Sequence, residues 1–171
     1  MNTHELPECA KQFVDERHVF LYLAQRVHEH WTEDVSAILH DSNGLGRAGA
    51  DPSGMFSDLT PAALRRSLLP VSRRGAEDLM GLLAVGSFCY GPDPTLRQPN
   101  EQRDAAIRAI LEAAGDHTEF FTNHGHAEDG DSADFLTRSF HFNSLANVLY
   151  DVCLIGVSPE RLLIAWRFED A

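Results

Sequence analysis

Three runs near the C-terminal end decide the fold class: FLTRSFHF (135–142), NVLYDVCLIGV (147–157) and RLLIAWRF (161–168). β-Branched and aromatic residues dominate them, and Leu162, Ile164, Trp166 and Phe168 alternate with Arg161, Leu163, Ala165 and Arg167. A two-residue period belongs to a strand, whose successive side chains point to opposite faces. The linker Ser158, Pro159, Glu160 is short enough to join the last two runs as an antiparallel hairpin. Upstream of these runs the pattern is helical. The chain therefore reads as α+β: an N-terminal helical layer (about 8–123) packed on a small C-terminal antiparallel sheet (about 135–170), in a single domain over 1–171.

The spacing of Phe13, Phe20, Ala24, Val27, Trp31, Val35 and Ile38 predicts a helix from about Ala10 to Leu39, with a break near Trp31 where Thr32, Glu33 and Asp34 resemble a cap. A glycine-rich loop follows over 41–58. Thr60 and Pro61 open a short helix that Pro70 ends, and Ser72 caps the next, whose apolar residues from Leu79 to Phe88 cover nearly every face. Asn100 caps a fourth helix bearing Ile107, Ile110, Leu111 and Ala114, with Gly115 as its stop. Asp116 and Glu119 have capping-box spacing for a further turn through Phe120 and Phe121, and Asn123 to Asp134 is an acidic loop.

Charge narrows the function classes. Asp and Glu number 26 against 14 Lys and Arg, a formal charge of -12, with segment 61–100 net positive between two negative flanks. Such a surface repels nucleic-acid phosphates and membrane headgroups and attracts basic proteins, so direct nucleic-acid and membrane binding are disfavoured. No apolar run approaches the roughly 20 residues that span a bilayer, and MNTHELPECA lacks the basic start and apolar stretch of a signal peptide. The cytoplasm is the expected compartment. Cys9, Cys89 and Cys153 are an odd set without a CxxC pair, and read as reduced, packed thiols. Lys11 is the single lysine beside thirteen arginines, the skew of a GC-rich, bacterial coding sequence.

Several catalytic patterns fail on physical grounds. Gly44, Gly46 and Gly49 spell GxGxxG, but a helix precedes them and a proline-containing loop follows, where dinucleotide binding needs a strand before and a helix N-terminus after. His117, His124 and His126 lie near Glu119, Glu128 and Asp129 without metal-ligand spacing, and read as part of a solvated acidic loop. Ser87 in AVGSFCY lacks the second glycine of GxSxG. The pairs Arg65, Arg66 and Arg73, Arg74 read as solvated helix surface paired with acids such as Glu77 and Asp78.

RHVFLYLAQRV followed by AILHDSNG resembles the opening of HD-domain metal-dependent phosphohydrolases, over about a quarter of the chain. The resemblance implies a metal held by His18, His40 and Asp41, with Asp134 as the late aspartate. Two departures accompany it: Asp134 lies beside strand-forming sequence in a family that is helical throughout, and a glycine loop replaces the helices after the His-Asp pair.

The leading expectation is a protein-binding inhibitor that uses no cofactor and no catalytic residue, similar in kind to bacterial immunity and antitoxin proteins. Its carboxylates would mimic the phosphates that the cleft of a basic partner, such as a toxin or nuclease, expects. The acids placed in that surface are Glu128, Asp129, Asp131 and Asp134, with Glu33 and Asp34 as a second patch. The HD-type phosphohydrolase is the alternative.

Overall fold

The computed structural model describes residues 5–41, 47–88 and 91–170. After a 3₁₀ turn at Glu8–Phe13 come β1 (Val19–Gln25), α1 (Trp31–His40), β2 (Arg47–Gly49), α2 (Pro61–Ser67), β3 (Leu69–Val71), α3 (Arg73–Ala84), β4 (Gly86–Ser87) and β5 (Gly91–Pro92). A second 3₁₀ turn, Pro94–Arg97, leads to α4 (Glu101–Glu112) and β6 (Glu119–Thr122), and a third, Gly125–Ser132, precedes β7 (Tyr150–Val157) and β8 (Arg161–Glu169). Six strands form one antiparallel sheet in the order β2-β1-β8-β7-β6-β3, and β4 and β5 pair separately.

The expected α+β class and the antiparallel β7–β8 hairpin are present, with Val157 opposite Leu162 at its closed end. The predicted caps also form: Thr60 accepts the Ala63 N–H at 3.1 Å, Ser72 that of Gly75 at 3.1 Å and Asn100 that of Arg103 at 2.9 Å. Each satisfies an amide that the first helical turn leaves without a partner.

The layering differs from the expectation of one helical layer on one face. β7 and β8 are buried along nearly their whole length, and their side chains alternate between two cores. Val152, Leu154, Leu163 and Ala165 pack against α3 and α4 through Leu79, Leu83, Ile107 and Ile110. Cys153, Ile155, Ile164 and Trp166 pack against α1 and α2 through Val35, Leu39 and Leu64. A sheet apolar on both faces stays out of water only when both are covered, so the helices divide into two layers.

The sheet also recruits early sequence. Residues 19–25 form β1, paired along its full length with β8 from Val19 opposite Arg167 to Gln25 opposite Arg161, so of the expected helix 10–39 only residues 31–39, within α1, are α-helical. VFLYLAQ buries Phe20 on one face and Leu21 and Leu23 on the other, and apolar residues on both faces produce matches to a 3.6-residue period without a helix. Val27, part of the expected apolar stripe, is 82% exposed. Phe120 and Phe121 lie in β6 rather than in a helical turn, and 135–142 is irregular chain touching the sheet region through a His124–Phe142 bridge. The expected loop 41–58 contains edge strand β2; Gly44, Gly46 and Cys89 lie outside the described residues.

Two polar devices are built into these cores. Asp151, fully buried, accepts from Trp166 Nε1 at 3.1 Å, from the backbone N–H groups of Leu145 (3.1 Å) and Ala146 (3.3 Å), and from the Ser144 hydroxyl at 3.2 Å. Asn123 reinforces it, donating to the carbonyls of Asn143 and Asp151, both at 2.9 Å, and accepting the Cys153 N–H at 2.9 Å. At the far end of β8, Arg167 donates to Glu169 at 2.9 Å and to the Leu83 carbonyl at 3.0 Å, while Glu169 accepts from the Ser87 hydroxyl and the Phe88 N–H. Cys153 is buried and Cys9 half-buried, both as free thiols, and burial pushes the Cys153 thiol up.

Candidate functional site

The acidic turn Gly125–Ser132 leaves the sheet directly after β6 and carries Glu128, Asp129 and Asp131, all exposed. Both ends are fixed. At the start, the buried His124 imidazole accepts the His126 N–H at 3.1 Å, and the Gly125 N–H donates to the His141 carbonyl at 2.7 Å. The His141 ring lies over Gly125, 2.1 Å from where a β-carbon would stand, so a larger residue there would displace that exposed ring. At the end, Asp134 accepts from Arg97 at 2.9 Å and from the Leu136 N–H at 3.0 Å, while its carbonyl meets His126 Nδ1 at 2.9 Å.

Beside the turn runs a groove between α3, the Pro94–Arg97 turn, the start of α4 and residues 130–136. It consists of two hollows of about 280 and 390 Å³ that share Asp78, Leu96, Arg97 and Leu136. Two of the four arginines that line it, Arg97 and Arg103, are engaged by neighbouring groups. Arg97 holds Asp134 and the Leu136 carbonyl, and Arg103 holds the Thr95 and Gln98 carbonyls and Asp104. No hydrogen bond or ion pair to another described residue reaches the half-buried Asp78 carboxylate. Burial first, and then the nearby Asp134 and Glu77, hold its carboxyl above the usual value against the pull of Arg74 and Arg97. Partly desolvated carboxylates in grooves mark sites where an outside cation gains most from arriving.

The predicted site residues separate. Glu128, Asp129 and Asp131 share the exposed turn, and Glu128 lies 3.9 Å from His141 Nε2. Asp134 borders the same surface, but its carboxylate already serves Arg97. Glu33 is exposed on α1, the layer on the opposite face of the sheet from the core that Phe135 enters. Asp34 is not a surface acid: it is 3% exposed and turned inward, accepting from the N–H groups of Val27 (3.1 Å) and His28 (3.0 Å) and from His28 Nδ1 at 2.7 Å. The chain between β1 and α1 folds back over the helix start and uses this carboxylate to satisfy its own amides.

The residues of the HD-type resemblance are not brought together. His18 sits before β1 with Nδ1 3.7 Å from Asp15, and His40 closes α1 on the Ser36 carbonyl at 2.7 Å, with Asp41 as the C-cap. Asp134 belongs to the layer across the sheet. Among the described residues no group of three or more His, Cys, Asp or Glu is placed to hold a metal ion. His117 lies apart, in the turn before β6 at φ 56°.

Sequence reasoning missed His141 and Arg97, which reach the acidic turn from remote positions, and no local pattern marks either. Asp78 was visible only as a helix-surface acid. Arg97 is expected to act on Asp134 mainly through its hydrogen bond, with its charge a smaller influence. Its hydrogen bond is the main influence holding the Asp134 carboxyl below the usual range, so Arg97→Ala should raise that value toward 3.8 in a side-chain NMR titration. Both partners are about half exposed, and the thermal midpoint should shift only slightly.

No protein-family model matches the chain, and no solved structure matches it. Over 112 residues, 64% of the chain, it is 33% identical to the UDP-N-acetylglucosamine--N-acetylmuramyl-(pentapeptide) pyrophosphoryl-undecaprenol N-acetylglucosamine transferase of Methylobacterium radiotolerans. The aligned stretch spans 28% of that enzyme's length. No helix among the described residues is long and apolar enough to cross a membrane.

Proposed function

We propose that this chain is an acidic, cytoplasmic protein-binding inhibitor of the bacterial immunity or antitoxin kind, which covers the basic face of a toxin or nuclease. The observation that carries this reading is the acidic turn itself: three exposed carboxylates on a segment fastened at both ends, beside a groove holding the underused carboxylate Asp78. Charges held in place before binding lose little freedom on association, so they steer a basic partner at small entropic cost. Glu128, Asp129 and Asp131 form the approach surface, Asp134 borders it as a positioned acid, and Glu33 belongs to a separate face. The reading needs no cofactor, nucleic acid or membrane.

The test uses a toxin or nuclease encoded by the adjacent gene, with stopped-flow association at two ionic strengths. Glu128→Gln, Asp129→Asn and Asp131→Asn combined should lower the on-rate about tenfold at low salt and flatten its salt dependence, with little change in off-rate. Folding should hardly change, because exposed acids contribute little to stability. An unchanged on-rate and salt slope would remove this surface from the interface, and absence of binding by the unmodified chain would end the inhibitor reading.

A further inference from the structure

His124 is where the acidic turn is fastened to the core. Its ring is 0% exposed, stacked on Phe140 at 4.5 Å and edge-on to Phe135 at 5.0 Å. Because Nδ1 accepts the His126 N–H, the neutral ring carries its proton on Nε2, a buried nitrogen with no hydrogen-bond partner among the described residues. A second proton can enter only at Nδ1, the atom that caps the turn. Imidazolium has no lone pair with which to accept, so that proton removes the cap and leaves a cation among aromatic rings.

No carboxylate among the described residues is placed against this cation. The titratable groups facing His124 are His126, with ring centroids 5.0 Å apart, and His141, and both disfavour a proton on His124. Glu128 is turned to solvent beside His141, and Asp134 is held by Arg97. β3, which packs against the turn, brings Leu69, Pro70 and Val71, none of which titrates. The segment is also a closed unit. Its ends meet at the His124–Phe142 bridge and the Gly125–His141 hydrogen bond, and Phe135 is the large side chain that anchors it in the core.

We infer that residues 124–142 form an acid-released latch, in which proton uptake by His124 undocks the segment while the sheet and helices stay folded. Burial first, then His126 and His141, hold the His124 imidazole down at about 3 from its ordinary 6.5. The undocked segment therefore binds a proton that the docked one excludes. Docking is fully favoured above about 6.5 and weakens as pH falls toward 3. Release of a bound basic partner in mild acid would follow, and that consequence rests on the function proposed above; the latch itself does not.

Hydrogen–deuterium exchange of the full chain at pH 8 and pH 5, corrected for intrinsic rates and measured without partner, tests it. The opening equilibrium of peptides within 124–142 should rise about thirtyfold at pH 5, while β7 and β8 amides keep their protection. His124→Asn, whose side-chain oxygen caps without titrating, should abolish the pH dependence, and His141→Gln should preserve it. Equal opening at both pH values, a dependence retained in His124→Asn, or β7 and β8 opening together with the segment would overturn the latch. Should His124→Asn fail to fold, a ring NMR titration of the unmodified chain decides instead: a value near 3 supports the latch and one near 6.5 overturns it. A positive exchange result with the partner still bound in acid would remove the acidic turn from the proposed interface and keep the latch.

Discussion

Asp151→Ala is expected to lower the unfolding free energy by about 3–5 kcal/mol in urea denaturation. The carboxylate accepts from Trp166 Nε1, two backbone N–H groups and the Ser144 hydroxyl, and its removal leaves the buried Trp166 Nε1 and Ala146 N–H without this acceptor. Asp151→Asn keeps one acceptor oxygen and should lose less. Burial, the largest influence, raises the Asp151 carboxyl above its usual value against the bonds from Leu145, Ala146, Trp166 and Ser144. With the folded value above the unfolded one, this group's contribution is most favourable below the unfolded value and declines as pH rises through the folded one. Asp151→Asn should remove that decline from the stability profile; an identical slope in both proteins would show that Asp151 is not its source.

Gly49→Ala should be nearly as damaging, at about 3 kcal/mol. Gly49 closes β2 at φ 84°, and a β-carbon there would lie 2.1 Å from the Val19 carbonyl oxygen and 2.8 Å from the Val14 β-carbon. Two backbone segments must separate to admit it. Gly54 provides the comparison, with φ 82° but open space around the built β-carbon. Gly54→Ala carries conformational strain alone, about 1 kcal/mol. Thermal unfolding of the two variants separates steric exclusion from strain, and equal losses would mean that the close approach at Gly49 relaxes cheaply.

The contrast between these glycines shows what kind of information the sequence withholds. Gly49 reads locally as the last glycine of a motif with no phosphate chemistry, and its necessity comes from Val14 and Val19, thirty or more positions earlier. The candidate site divides in the same way. Glu128, Asp129 and Asp131 are legible because a short polar run containing glycine has no means of burying itself. Asp34 carries the same charge in an equally polar neighbourhood, yet the returning chain at Val27 and His28 encloses it. The fastening of the acidic turn by His124, His141 and Arg97 depends on residues brought together only by folding.

Local chemistry determined the hairpin of β7 and β8, through a three-residue linker between apolar strands, and the helix starts at Thr60, Ser72 and Asn100, through hydroxyl and amide caps that act within three residues. Tertiary structure alone decided that VFLYLAQ is a strand, because its apolar residues satisfy either period and only pairing with β8 selects one. It also decided that the sheet is covered on both faces, and that one histidine in an acidic loop is sealed from water beneath Phe135 and Phe140. Burial, and with it the charge state of a side chain, is set by whatever packs around the residue, and those neighbours come from distant parts of the chain.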